Sequence, residues 1–114
     1  MRGVYLLLGA ALLAVGALGY FQNPVLGVIT ANPYHNLLHV GSGLATLAAA
    51  RRGILAMRRW GTLAGLLYSA LALAGATLRR GDFFGLMHLD RPDNIMHAAL
   101  AAIFLYYAWL APPR

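Results

Sequence analysis

Two eight-residue stretches hold most of the chemistry this sequence offers: Asn32-Pro-Tyr-His-Asn-Leu-Leu-His39 and Asp90-Arg-Pro-Asp-Asn-Ile-Met-His97. Each contains Asn-x-x-His, and in each a potential ligand stands four residues before the last histidine, giving His35-x-x-x-His39 and Asp93-x-x-x-His97. On an α-helix, positions i and i+4 share one face about one turn apart, so both side chains of a pair reach one point. Two such pairs on facing helices present three imidazoles and one carboxylate, a donor set that suits Zn²⁺, Fe²⁺, Mn²⁺ or Cu²⁺. His35, His39, Asp93 and His97 are therefore the candidate metal ligands. Asn36 and Asn94 are spaced to orient the imidazoles or hold a bound water, so His39, His97, Asn36 and Asn94 form the wider candidate cofactor-binding set. Haem is the second option, because one histidine from each of two facing helices is what bis-imidazole ligation needs. Gly41 and Gly43 leave room for a porphyrin edge beside His39, but Ala99 and Ala101 stand at the corresponding places after His97. A purely structural role needs no ligand at all. Polar residues in apolar helices tie neighbours together through hydrogen bonds worth about 1 kcal/mol each, with Asp93 then a helix-start residue and His35 a headgroup-level one. His39 and His97 resist that role, since they fall about two turns into their helices, where an ionisable group is costly and marks function by default.

The rest of the chain excludes more than it adds. Cysteine and lysine are both absent, which removes disulfides, thiolate metal sites, cysteine nucleophiles and Schiff-base chemistry. No nucleophile–base–acid set, phosphate-binding loop or carboxylate pair within the apolar segments is present, so the sequence assigns no enzymatic reaction. His88, beside Met87 in a loop, reads as solvated. The net charge of +6 rests on nine basic residues, all arginine. They gather at the ends of apolar segments, where membrane-flanking charges belong, and form no aromatic-interleaved stripe, so nucleic acid is not an expected partner.

The elements that must position the histidines are apolar helices. At 114 residues the chain makes one domain, and with 61% hydrophobic and 11% charged residues it has too little polar surface for a soluble one. Four apolar stretches, predicted as helices over 3–21, 33–50, 60–78 and 91–111, are each about long enough to cross a hydrocarbon core of about 30 Å. The first is read as a retained helix, its apolar run being long for a signal peptide. Asn32-Pro33 predicts an N-cap followed by proline at the first helical position, and Asp90 with Asp93 predicts a capping box. A gapless shift of 58 residues aligns Gly3 with Gly61, Gly27 with Gly85, Asn36 with Asn94 and His39 with His97. The halves 1–56 and 59–114 then form a parallel repeat of two helical hairpins. Gly61-Thr-Leu-Ala-Gly65 is a GxxxG match expected to serve packing within the bundle, and Thr46, Tyr68 and Ser69 are placed for hydrogen bonds across helices. The connection 51–59 carries four arginines and the connection 22–33 none, which puts both termini in the cytoplasm. Trp60, Tyr106, Tyr107 and Trp109 make an aromatic belt on that side, while Phe83, Phe84, Leu86 and Met87 are expected at the opposite interface.

With four helices, Asn36-x-x-His39-x-x-x-Gly43 opening the second and Asp93-Asn94-x-x-His97 opening the fourth, the chain resembles the uncharacterised bacterial membrane proteins grouped as domain of unknown function 4383. The resemblance covers nearly the whole chain and is carried by those two motifs, with Ala101 in place of the second glycine. It implies a four-helix membrane fold, marks Asn36, His39, Asp93, Asn94 and His97, and names no reaction. The expectation is an all-α, integral membrane four-helix bundle of two pseudo-repeated hairpins in a bacterial inner membrane, with a metal or cofactor site at the outer ends of helices 2 and 4. Its partners are the lipid bilayer and a homodimer mate or larger membrane complex. The alternative is an accessory subunit whose His–Asn pairs only hydrogen-bond helices together.

Overall fold

A computed structural model describes residues 1–22, 32–78, 82–83 and 87–112. Helix α1 (Arg2–Leu18) packs against α2 (Pro33–Arg52), and α3 (Ile54–Thr77) packs against α4 (Arg91–Trp109), making two antiparallel hairpins joined through α2 and α3. Between α3 and α4 a two-residue antiparallel pair, β1 (Asp82–Phe83) and β2 (Met87–His88), matches Asp82 to His88 and Phe83 to Met87. The sequence pattern gave no sign of this ladder. The interface positions expected for Phe83, Phe84, Leu86 and Met87, and most of the connection 22–33, lie outside the described residues.

Both helices that carry the histidines start by the chemistry expected of them. The Asn32 side chain accepts the His35 backbone N–H at 2.8 Å, with Pro33 at the first helical position. Asp90 accepts from the Asp93 backbone N–H while the Asp93 side chain accepts from that of Asp90, a reciprocal capping box. Asn32→Ala and Asp90→Ala are each expected to lower stability by about 1 kcal/mol in thermal unfolding of the purified protein.

The connection 51–59, expected as a loop, is almost entirely helical. Arg51 and Arg52 end α2, Arg58 and Arg59 sit inside α3, and a single residue, Gly53, turns the chain between them. Arginine, leucine and methionine favour helix, so the charge cluster breaks nothing. Gly53 has φ 114° and ψ −173°, a conformation essentially confined to glycine. At this end Arg2 donates to the Ala50 carbonyl at 2.9 Å and Arg58 to the Ala108 carbonyl at 3.3 Å, each filling an orphan acceptor near a helix C-terminus.

Small residues set the helix spacing. A Cβ on Gly43 would lie 2.7 Å from the Leu13 nitrogen and 2.8 Å from the Gly9 oxygen, so α1 and α2 meet backbone to backbone there. The GxxxG glycines serve contacts within the chain: Gly61 seats the Tyr5 hydroxyl and faces the Phe104 carbonyl, and Gly65 faces Leu105. Tyr5 donates to the Met57 carbonyl at 2.7 Å and meets Phe104 edge-on at 5.9 Å, joining α1 to the second hairpin. Trp60 donates to Thr46 at 2.8 Å across the α2–α3 seam.

The core is mixed: Leu12, Met57, Leu71, Leu100 and Phe104 are buried together with a set of polar side chains. His35, Asn36, His39, Ser42, Thr46, Asp93 and His97 are buried, whereas Leu7, Leu37, Leu63 and Ile95 are each 60% or more exposed. Among the described helices only α3 is long and apolar enough to cross a membrane by length and composition; α1 is apolar but spans 17 residues. Helices α2 and α4 have the length, at 20 and 19 residues, but their polar inner faces lower their apolar content.

Candidate metal centre

Capping at Asn32 fixes the first turn of α2 so that His35 and His39 stand one above the other, ring centroids 4.4 Å apart. The capping box does the same for α4 and directs His97 at them, 5.2 Å from His35 and 5.8 Å from His39 between centroids. The three rings are no more than 2% exposed. One ligand atom from each lies within 4.8 Å of the others, and the Nε2 atoms of His35 and His97 are 3.2 Å apart. Two nitrogens bound at about 2.0–2.1 Å to one tetrahedral Zn²⁺ stand about 3.4 Å apart, so the His35–His97 spacing is that of two ligands on one ion.

Two ring nitrogens, His39 Nε2 and His97 Nδ1, are buried without a hydrogen-bond partner among the described residues. Such groups normally find partners, and leaving one unmade costs about 1–3 kcal/mol. Tyr68 closes the cluster from α3, its ring 5.4 Å from that of His97 and 6.4 Å from that of His39. It stacks flat on Phe104 at 6.2 Å. Its hydroxyl lies near Ser42 and is a third buried polar atom here without a hydrogen-bond partner among the described residues.

The remaining candidate residues fall beside the cluster. Asp93 is fully buried one turn before His97, with Oδ2 accepting from the Asp90 N–H and Oδ1 unpartnered among the described residues. It is not one of the three groups that converge, because the capping box holds it at the helix start. Neither asparagine amide is hydrogen-bonded to an imidazole among the described residues. Asn36 packs its amide on Gly19 and Asn94 packs its amide on Gly75, at places where a Cβ would overlap the amide oxygen. These two glycine seats, and the position of Tyr68 against the imidazoles, come from long-range packing and left no mark in the sequence motifs. His88 belongs to β2, and its side chain is outside the described set.

Three neutral imidazoles with one position left for water or a small ligand can hold Zn²⁺ in the manner of a catalytic site, or Fe²⁺, Mn²⁺ or Cu²⁺ with further ligands. The pair expected for haem, His39 and His97, has ring centroids 5.8 Å apart, with His35 packed against both rings. No curated protein and no solved structure gives a significant match to the chain. The model of the family described as Domain of unknown function (DUF4383) matches residues 2–110, nearly the whole chain, and the chain belongs to that family.

Proposed function

We propose that this chain is a four-pass protein of a bacterial inner membrane that binds one divalent transition metal through His35, His39 and His97. The observation that carries the metal is the convergence of three buried imidazoles, with His39 Nε2 unpartnered among the described residues. Asp93, one turn from His97, supplies nearby negative charge or a fourth ligand after a side-chain rotation.

The membrane assignment draws on the many exposed leucines and the buried polar groups. Leucines on the outside and polar groups on the inside are what helices need when their surroundings are lipid. The helices α1 to α4 rise about 25, 30, 36 and 28 Å at about 1.5 Å per residue, against a core of about 30 Å. Arg2, Arg51, Arg52, Arg58 and Arg59 share one end, and Asp90 and Asp93 lie at the other, in line with cytoplasmic termini. The two-hairpin repeat is supported by matching details 58 residues apart: caps at Asn32 and Asp90, amides on glycine at Asn36 and Asn94, and arginine-bound carbonyls at Ala50 and Ala108. A homodimer or larger membrane complex is the proposed assembly. The 3.2 Å His35–His97 contact also suits a hydrogen bond between neutral rings, which favours the accessory-subunit role as the second reading.

The test uses untagged protein purified in mild detergent. Elemental analysis is expected to find about one Zn, Fe, Mn or Cu per chain, with no Soret band in the absorption spectrum. Protein that carries no metal and takes none up on addition overturns the metal site and leaves the imidazoles as helix ties. In cells, the chain is expected to stay in the membrane pellet after an alkaline carbonate wash; release into the supernatant overturns the membrane assignment.

A further inference from the structure

The seam between α2 and α3 is open where the other helix pairs are closed. On α2, Gly41, Ala45, Ala48 and Arg52 follow one another at helical spacing, and on α3 Ala56, Trp60, Leu63 and Leu67 do the same. Small residues on one wall and large ones on the other leave a valley. One cavity of about 700 Å³ lies between Ala45, Ala48, Arg52, Arg59 and Leu63, and a second of about 430 Å³ continues past Gly41 and Leu67, with Trp60 common to both. Both volumes are of the size that holds a small ligand, and the walls are apolar.

The polar end of the valley is positive and has no acidic side chain beside it among the described residues. Arg2 and Arg58 are engaged with carbonyls, but Arg52 and Arg59 are exposed and meet no acceptor among the described residues. The sequence holds three acidic residues and no glutamate. Asp82, Asp90 and Asp93 all fall after α3, toward the far end of the helices. Arg52 and Arg59 are thus left open to an anion from outside the chain. Joined to an apolar tail that fills the valley, that anion has the chemistry of a phospholipid.

We propose that the α2–α3 valley is a site for one anionic phospholipid, its phosphate between Arg52 and Arg59 and one acyl chain along Gly41, Ala45 and Ala48. Guanidinium groups bind phosphate with paired donors, and basic residues at a membrane surface favour anionic lipids. This inference rests on the membrane assignment above and is independent of the metal.

Trp60 reports on the valley directly. Trp109→Phe protein, whose remaining tryptophan is Trp60, is reconstituted in phosphatidylcholine vesicles that contain a small fraction of lipid brominated on its acyl chains. Brominated phosphatidylglycerol is expected to quench Trp60 at about tenfold lower mole fraction than brominated phosphatidylcholine. Arg52→Gln/Arg59→Gln should abolish the preference, and Arg52→Lys/Arg59→Lys should keep most of it. Equal quenching by the two lipids, or a preference that survives the glutamine pair, overturns the site while leaving the membrane assignment standing. Quenching that disappears as the protein-to-lipid ratio rises puts a second copy in the valley and also overturns it. No quenching by either lipid overturns the membrane assignment itself.

Discussion

Purified His39→Ala protein, and separately His97→Ala protein, is expected to lose its metal. Structural zinc sites contribute about 10–16 kcal/mol over about four ligands, so removing one imidazole of three costs at least about 100-fold in affinity. The competing outcome is specific. If the histidines only tie helices, metal content is unchanged by either substitution and only the unfolding temperature falls. Tyr68→Phe keeps the ring stacked on Phe104 and is expected to keep the metal, which separates loss of a ligand from disturbance of the surrounding packing. Loading is also expected to fall as the medium is acidified, because a protonated imidazole has no lone pair to give and each proton displaced weakens binding up to tenfold per pH unit. Metal content that is flat between about pH 5 and pH 8 would point away from imidazole ligation.

The largest loss of stability is expected at Gly43. A methyl group there meets the Leu13 nitrogen at 2.7 Å and the Gly9 oxygen at 2.8 Å. These are backbone atoms of α1 that cannot swing aside, so Gly43→Ala must push α1 and α2 apart, at a cost of about 1–3 kcal/mol, and Gly43→Leu at more. Gly43 is one turn beyond His39, so the displacement also carries His35 and His39 away from His97, and metal retention should fall together with the unfolding temperature. Gly3→Ala is the control: nothing lies within 4 Å of a Cβ there, and a better helix former should leave stability equal or up to about 1 kcal/mol higher. A Gly43→Ala protein as stable as the unsubstituted chain would mean that the two helices are not held at this distance.

The parts of the fold that were legible in the sequence are the ones that local chemistry decides. Asn32 before Pro33, and Asp90 three residues before Asp93, announced two helix starts, since caps depend on residues within one turn. The motifs around His39 and His97 pointed to the family, and the family match covers the same residues. The stretch from Arg51 to Arg59 carries four charges and reads as a loop, but arginine favours helix and Gly53 alone makes the corner. Asp93 was offered both as a cap and as a ligand; its place in the capping box follows from the three residues before it, while its absence from the imidazole cluster depends on packing between hairpins. The seats at Gly19 and Gly75, and the place of Tyr68 against the imidazoles rather than in a hydrogen bond across helices, are not legible in sequence for the same reason. Their partners lie on other helices, and in a chain with 13 glycines no glycine stands out until the helices are docked.

The histidine cluster is divided between the hairpins, two imidazoles from residues before the Gly53 corner and one from residues after it. Neither half of the chain can assemble it alone. During synthesis the first hairpin is complete some forty residues before His97 follows, so an ion captured by all three rings is a sign that both halves have arrived and docked. Bound there, it would act as a rivet across the seam, and its removal should let the halves separate first at the end where α2 and α4 begin.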